Sequence, residues 1–498
     1  MRPTTCLIAT VTAALLFAAP AIAQSPTDTT SKTDTTAKSD TTPKTETTVF
    51  ALSSTTPDST AKDTTTLATP TKPAKATVAS RAEQTLPGIV IQHIRPLDQR
   101  GINVFEAPKT DAVPYEGFKL TWGVAFTQQF QGLDHKNTAL PKMTTPAGGT
   151  AYNANQLIQI GHGFNNATAN LYLNAQLAKG IRVSLTSYLS SRHHNEVWVK
   201  DGYVLIDDSP IKWEPLENLM QFVTVRAGHF EINYGDSHFR RTDNGNAMYN
   251  PFVGNLIMDP FTTEVGGEVY VRLGAVMAMG GITGGEVRGM VAQPQKRAPS
   301  FIGKLGFDRQ VMSDLRVRLT GSLYTTKRSV NNTLYSGDRA GSRYYDVLEN
   351  VNSAEAVQAW SGAIQPGMRS KITAMVVNPF VKFHGLEFFG TLEKATGRAA
   401  TETVDRTWNQ RAGELVYRFL PAEQVWVGGR YNTASGKLAV TDPTENVKRM
   451  QASAGWFITP GLMAKVEYVK QKYDGFLPTD IRNGGKFNGF LVEGTVAF

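Results

Sequence analysis

Hydrophobic and polar residues alternate with a period of two along most of the chain after Gly117. In the first such stretch, the apolar side chains at even positions from Phe118 to Phe126 alternate with smaller or polar side chains from Lys119 to Thr127. The same period recurs in 169–177 and 181–185. This pattern predicts β-strands whose two faces meet different surroundings. No run after residue 23 approaches about 18 consecutive apolar residues, so helical membrane spans are not expected.

The alternation predicts about sixteen strands over 117–498, a usual number for membrane barrels. The first eight predicted strands are 117–130, 164–179, 181–192, 195–206, 221–232, 265–272, 275–289 and 300–311. The second eight are 315–328, 371–384, 385–396, 407–419, 424–433, 447–459, 462–473 and 486–498.

The predicted connections mostly alternate between long and short. The long ones are 131–163, 233–264, 290–299, 329–370, 397–406, 434–446 and 474–485. The short ones are 179–180, 272–274, 312–314, 384–385, 420–423 and 460–461. Two connections depart from the pattern, a short one near His193-His194 and a longer one at 207–220. Short turns at one rim and long loops at the other are typical of a transmembrane antiparallel β-barrel, so we expect an all-β fold of this kind.

The last stretch, Lys486 to Phe498, carries the same alternation and ends on an aromatic residue. Phe490, Val496 and Phe498 share one register, whereas Leu491 and Glu493 lie on the other. Such an ending resembles the C-terminal assembly signal of bacterial outer-membrane barrels, and Phe490, Val496 and Phe498 carry the resemblance. The resemblance implies that the outer-membrane assembly machinery is a partner. It also implies that the last strand pairs with the first and leaves no open sheet edge.

The N-terminus predicts export. Arg2 precedes an apolar run over 7–19 and an A-x-A sequence ending at Ala23, which together indicate a signal peptide of residues 1–23. The only cysteine, Cys6, lies inside that signal, so disulfides and cysteine chemistry are not expected afterwards. Residues 24–85 are rich in Thr, Ser, Pro and Lys, which predicts a disordered periplasmic tether. Residues 86–116 form a mixed connector for which the pattern predicts no structure.

Charge is the next feature that bears on function. If the apolar register faces lipid, the polar register lines a pore, and its cations outnumber its acids, in line with a formal net charge of +8. This excess predicts a weak preference for anions. The alternative is that the lumen charges only hydrate the interior and pair across it. The pore-lining candidates on the strands are Arg182, Arg226, Arg316, Arg318, Arg430 and Glu268.

The loop 233–264 is the candidate constriction, because it is long and carries apolar and aromatic residues that could pack inside a barrel. Arg240 and Arg241 form its basic cluster. Folded inward, the two arginines would narrow the pore and attract anions. Left outside, they would contact the anionic lipopolysaccharide surface, which is the simpler of the two expectations.

Two adjacent predicted strands resemble a known family. Glu196 to Asp207 contains a K-D-x-Y sequence, and Val223 to Asp236 contains V-R-x-G-x-F before a long loop. Within 196–272 this arrangement is similar to porins of the phosphate-selective porin superfamily. Membership would imply a sixteen-stranded, homotrimeric outer-membrane channel for small hydrophilic solutes. The dense arginine ladder that phosphate selectivity requires in that family is missing, so phosphate specificity is not expected.

Catalytic and metal-binding signatures are absent from the sequence. His193-His194-Asn195-Glu196 lacks the i, i+4 spacing of a helical zinc site, and no G-x-S-x-G or H-E-x-x-H sequence occurs. We therefore expect no enzyme, no metal and no cofactor.

The sequence predicts a passive porin in the outer membrane of a Gram-negative bacterium. It would contact outer-membrane lipid, lipopolysaccharide and small polar or anionic solutes, and no nucleic acid. One alternative is an anion-specific channel whose field is set by arginines. Another is a structural or adhesive barrel whose lumen is plugged, for which the long loops 131–163 and 329–370 would serve equally well.

Overall fold

A computed structural model describes residues 91, 94–106, 109, 115–146, 148–165, 167–190, 197–285, 291–336, 343–353 and 362–498. The predicted signal peptide and tether lie outside these ranges, and so do His193, His194 and Glu196.

Sixteen strands of the described residues form one antiparallel sheet. The first eight are β1 (Lys119–Lys136), β2 (Thr168–Ala178), β3 (Ile181–Ser190), β4 (Trp198–Ile206), β5 (Val223–Glu231), β6 (Thr263–Leu273), β7 (Val276–Thr283) and β8 (Ser300–Met312). The second eight are β9 (Leu315–Thr326), β10 (Lys371–Phe383), β11 (Leu386–Arg398), β12 (Arg406–Phe419), β13 (Val425–Gly436), β14 (Glu445–Thr459), β15 (Leu462–Asp474) and β16 (Lys486–Ala497). Short strand pieces in the first loop are Met143–Thr144, Tyr152–Asn153 and Gly163–Phe164.

The sheet closes on itself, as the sequence predicts. Strand β16 pairs with β1 in a continuous antiparallel register from Ala125 opposite Ala497 to Lys136 opposite Lys486. Each remaining strand pairs with its neighbours in the chain. Closure leaves no sheet edge unpaired, which is the condition for a sheet to stand in hydrocarbon.

The connections sort onto two rims. The turn rim carries the short turns, such as Lys179-Gly180 between β2 and β3, together with the longer connection after β4, and the loop rim carries the other long connections. Gly180 has φ of 67°, and a Cβ added there would lie 2.3 Å from the Cβ of Asp208, so this turn requires glycine. The longer connection after β4 contains a helix that the sequence pattern did not predict, α1 (Glu214–Met220), with a proline in its first turn. No helix among the described residues is long and apolar enough to cross a membrane.

The two faces of the barrel differ sharply in polarity. Along β16 the side chains alternate between exposed and buried at every position, with Phe490 and Val492 outside and Leu491 and Glu493 inside. Large hydrophobic side chains cover the outer face of the other strands as well, including Trp122, Leu392 and Met450. The inner face instead carries buried arginines, lysines and glutamates. The barrel is thus apolar outside and polar inside, the reverse of a water-soluble protein.

Candidate functional site

The loop after β5 folds into the barrel and crosses its interior. This inward loop, residues 232–262, is buried along nearly all its length. Barrel side chains accept hydrogen bonds from its backbone: Ile257 N–H donates to Asn432 Oδ1 over 2.6 Å, and Met258 N–H donates to Gln410 Oε1 over 2.8 Å. Buried backbone groups need such partners, because leaving one unpaired costs about 1–3 kcal/mol. The far wall of the barrel therefore holds the loop in place.

Arg240 and Arg241 lie inside the barrel with this loop. The expectation that they contact the outer surface is wrong, because the barrel wall supplies carboxylates to Arg240 and the loop itself supplies Asp259 to Arg241, as two buried guanidinium groups need. Arg240 lies 3.5 Å from Glu414 and 3.6 Å from Glu387. Arg241 donates two hydrogen bonds to Asp259, at 3.0 and 2.6 Å. The placement agrees with the inward alternative, in which the loop narrows the lumen.

The other predicted lumen residues also face inward, and each has a partner of opposite charge. Arg182 pairs with Asp207 at 2.7 Å, Arg226 with Glu268 at 2.5 Å, and Arg430 with Glu414 at 2.8 Å. Arg316 and Arg318 share Asp308, and Arg318 also binds Asp236. These arginines and carboxylates form several separate ion-pair groups around the barrel wall instead of one ring. The part of the arginines in conduction stays a prediction.

The connector, for which the sequence predicted no structure, lies inside the turn rim. We call residues 94–106 together with Lys109 the mouth segment. Gln99 N–H donates to the carbonyl of Pro460 in one turn over 2.9 Å, and the Gln99 amide donates to the carbonyl of Ala422 in another over 2.7 Å. The ring of Phe105 packs edge-on against Phe239 of the inward loop and Phe380 of β10. The mouth segment thus spans part of the turn-rim opening and contacts the side of the inward loop that faces this rim.

Glu106 anchors the mouth segment. Its carboxylate lies 2.8 Å from Lys304 and 2.7 Å from Arg318, and it accepts a hydrogen bond from Asn233 of the inward loop over 3.0 Å. Burial opposes ionisation of Glu106, but the two neighbouring cations outweigh that effect and hold its pKa well below the usual range. A single ionised side chain therefore links the mouth segment, the barrel wall and the inward loop.

Arg95 provides a second connection between the mouth segment and the inward loop, in addition to Glu106. Its guanidinium stacks on Tyr249 at 3.5 Å and donates to the carbonyls of Gly101 and Phe239. Burial lowers the pKa of Arg95 to about 10, which still leaves it charged at neutral pH.

A cavity of about 310 Å³ remains between the mouth segment, the inward loop and strands β2 to β6. Its basic lining residues are Arg95, Lys109, Arg182, Lys200, Arg226, Arg241 and Arg272. Its acidic lining residues are Glu106, Asp201, Asp207, Glu231 and Asp243. With His238 neutral, seven cations and five carboxylates line the cavity. Two of these cations also pair with carboxylates behind the lining, Arg226 with Glu268 and Arg241 with Asp259, so the excess of cations in the lining is largely neutralised. Its volume falls within the range of sites that hold small molecules.

A bulge in β4 places a lysine in this cavity. Thr186 of β3 pairs with Asp201 but the next residue, Ser187, pairs with Val199, so Lys200 is an extra residue in the ladder. Bulges re-aim side chains in this way, and Lys200 and Asp201 both turn toward the lumen. Lys200 lies 2.8 Å from Glu231 and 2.7 Å from Asp243. The Lys and Asp of the K-D-x-Y sequence therefore belong to the cavity wall.

Sequence reasoning missed the mouth segment and the acidic residues of the cavity. One signal was present: two adjacent charged residues, Lys200-Asp201, in an alternating strand can share a face only if the strand bulges. No comparable signal marked Glu106, whose partners Lys304 and Arg318 come far later in the chain. Within the described ranges, no group of three or more acidic, histidine or cysteine side chains could hold a metal ion.

Several solved structures are similar to this chain at low identity. An anion-selective porin from Comamonas acidovorans aligns at a TM-score of 0.45 with 10% identity, covering 76% of this chain and 100% of that one. OprB of Pseudomonas putida aligns at 0.44 with 12% identity, covering 77% and 94%. The outer-membrane channel DcaP of Acinetobacter baumannii aligns at 0.44 with 9% identity, covering 77% and 98%. No family model and no curated protein matches the sequence.

Proposed function

We propose that this protein is a porin-type channel in the outer membrane of a Gram-negative bacterium. It conducts small hydrophilic solutes passively and favours anions weakly. We also propose that the turn rim and the N-terminal tether lie in the periplasm, the orientation that a signal peptide and the distribution of loop lengths favour.

One observation carries the proposal: a closed barrel with an apolar outer face encloses a charged lumen that retains a cavity. An outer surface rich in large hydrophobic side chains would be unfavourable in water and suits lipid. Charged side chains are unfavourable in contact with hydrocarbon, but they are well solvated where they line a water-filled path. The two faces together fit a protein that carries polar solutes across a bilayer.

The composition of the cavity wall supports a weak anion preference. Most lumen charges are paired, so they neutralise one another locally and leave a modest net field. More cations than carboxylates line the cavity beside β2 to β6, which is where we place the solute path. A phosphate-specific channel is the less favoured alternative, because the arginines pair with carboxylates instead of forming a free cationic ladder.

A plugged structural barrel is the second candidate, and the mouth segment favours it. The inward loop and the mouth segment fill much of the lumen, and Tyr344 of another loop-rim connection also enters it to bind Glu467 at 2.6 Å. In that case the protein would serve as an anchor or adhesin that its Thr-rich tether attaches to the cell wall.

Solute uptake by proteoliposomes tests the proposal. Liposomes containing the folded protein should swell in isotonic solutions of small sugars, amino acids and organic anions, and swelling should be faster for small anions than for cations of equal size. Liposomes with heat-denatured protein are the control. A correctly folded barrel that produces no swelling with any solute would contradict the channel and leave the plugged barrel.

The partners expected of such a channel are proposals as well. We infer that the outward side chains of Phe490, Val496 and Phe498 serve as the assembly signal, since all three are exposed on the lipid-facing side of the closing strand. Lipopolysaccharide would surround the loop rim, and a homotrimer is the assembly that the family resemblance implies.

A further inference from the structure

The cavity beside β2 to β6 has a cationic end and an acidic end. The cationic end lies at the turn rim, where Arg182, Arg272 and Lys109 meet. The acidic end lies nearer mid-barrel, where Asp201, Glu231 and Asp243 surround Lys200. The turn-rim end thus has three cations beside Asp207, whereas the mid-barrel end has three carboxylates beside Lys200 and Arg241, which lies 3.4 Å from Asp243.

Unsatisfied hydrogen-bonding groups occur at the cationic end. Arg182 donates from Nη2 to Asp207, but its buried Nη1 has no hydrogen-bond partner among the described residues. Arg272 stacks near Tyr270 at 5.6 Å, and the described residues give its guanidinium no ion-pair partner. Lys109 donates to three backbone carbonyls, those of Asp207, Met220 and Val223. A bound anion would accept a hydrogen bond from the unpartnered Nη1 of Arg182 and would give Arg272 an ion-pair partner.

An unsatisfied acceptor occurs at the acidic end. Asp201 is 7% exposed, and its Oδ1 has no hydrogen-bond partner in the described part of the chain. Its other oxygen lies 3.8 Å from Lys200, which is bound more closely by Glu231 and Asp243. A buried carboxylate oxygen without a partner is costly, and a cationic donor would satisfy it.

The spacing of the two ends limits the size of a ligand. Along β4, Leu205 lies four residues beyond Asp201, and Arg182 lies directly opposite Leu205 on β3. Four strand residues span about 13 Å. A free amino acid, whose ammonium and carboxylate are neighbours, cannot reach both ends. An extended tripeptide spans roughly 10 Å, and the Asp201 and Arg182 side chains can cover the remainder.

We propose that this cavity binds short zwitterionic peptides, with the terminal ammonium at Asp201 and the terminal carboxylate at Arg182 and Arg272. The inference deepens the proposed function, since it names a solute class for the same lumen. The apolar and aromatic wall between the two ends, formed by Tyr203, Leu205 and Tyr270, accommodates side chains of differing identity. Recognition rests on the charged termini and on their separation.

Isothermal titration calorimetry on the full-length barrel in detergent tests the site without requiring conduction. Trialanine is the probe, N-acetyl-trialanine lacks the ammonium, and trialanine amide lacks the carboxylate. Each blocked peptide should bind at least about tenfold more weakly than trialanine, the effect of losing one charge-assisted hydrogen bond.

Two variants assign the ends. Asp201→Asn should lower the affinity for trialanine by about tenfold and leave the affinity for N-acetyl-trialanine unchanged. Arg272→Gln should lower the affinity for trialanine and leave the affinity for trialanine amide unchanged. The matched controls are Asp134→Asn and Arg309→Gln, whose side chains are exposed on the outer face of β1 and β8. They should bind trialanine as the unaltered protein does. Heat-dependent gel migration verifies that each variant is a folded barrel.

Three outcomes would overturn the proposal: no trialanine binding by folded protein, equal binding of the N-acetyl peptide, or unchanged trialanine affinity in Asp201→Asn. Failure of the channel itself is distinguishable. A barrel that binds trialanine in this pattern but produces no liposome swelling would retain the site and contradict the proposed conduction.

Discussion

At the scale of single residues, the lumen is organised by carboxylates that each hold more than one group. Glu414 binds both Arg240 and Arg430, and Asp236 binds both Lys304 and Arg318. Glu106 belongs to this set from the mouth segment, where it holds both Lys304 and Arg318. Because buried ion pairs become destabilising when one partner is removed, such residues determine which segments stay in the lumen.

Glu106→Gln should loosen the mouth segment. The substitution leaves Lys304 and Arg318 with fewer acceptors and removes the ionised link to the inward loop, at a local cost of order 2 kcal/mol. Hydrogen exchange of the amides in 94–106 should then be at least about tenfold faster than in the unaltered protein. Glu116→Gln is the control, because Glu116 is largely exposed and its ion-pair partner among the described residues is Lys119. Unchanged exchange in Glu106→Gln would show that Glu106 is not the anchor.

The same residue predicts a pH dependence. The pKa of Glu106 is depressed in the folded state, so its stabilisation is present above the ordinary value of 4.5 and is lost as pH falls through the lower folded value. The rate of amide hydrogen exchange in the mouth segment, corrected for the intrinsic pH dependence of exchange, should be constant from neutral pH to about 5. The corrected rate should rise as the pH falls below 4.5. The acceleration should be smaller in Glu106→Gln. If exchange at low pH speeds up equally in the unaltered protein and in Glu106→Gln, groups other than Glu106 cause the pH dependence.

At the scale of elements, the strands were predictable and the segments inside the barrel were not. A period of two is a local property, so β16 and its outward Phe490 could be located from sequence alone. The inward position of Arg240 depends on Glu387 and Glu414, which are distant in sequence and meet it only after the barrel closes. The mouth segment likewise has no periodicity, because its contacts are with turns and lumen side chains rather than with a sheet.

Deletion tests the mouth segment as an element. Removing 24–109 should raise single-channel conductance severalfold, because the turn-rim opening widens and the inward loop loses Phe105 and Glu106 as supports. Removing only 24–85 is the matched control and should leave conductance unchanged, since the mouth segment remains. Closure between β1 and β16 involves neither deletion, so both proteins should fold. Equal conductance of the two deletion proteins would show that the mouth segment does not obstruct the path.

At the scale of the whole molecule, function depends on how much of the lumen the inward loop and the mouth segment leave open. The barrel presents hydrophobic side chains to lipid and holds charges inside, yet two segments occupy much of the interior. Whether this arrangement makes a narrow channel or a closed plug depends on the cavity beside β2 to β6. The cavity has a small excess of cations, so a channel that uses it should show a small preference for anions and not a strict one.

Single-channel current in a planar bilayer under a KCl gradient measures this directly. The purified full-length protein, verified as folded by heat-dependent gel migration, should give a small steady conductance. Its reversal potential should favour chloride slightly, because the excess cations of the cavity wall attract anions. A folded protein that inserts but carries no current, or one that selects potassium, would contradict the proposed anion-favouring channel.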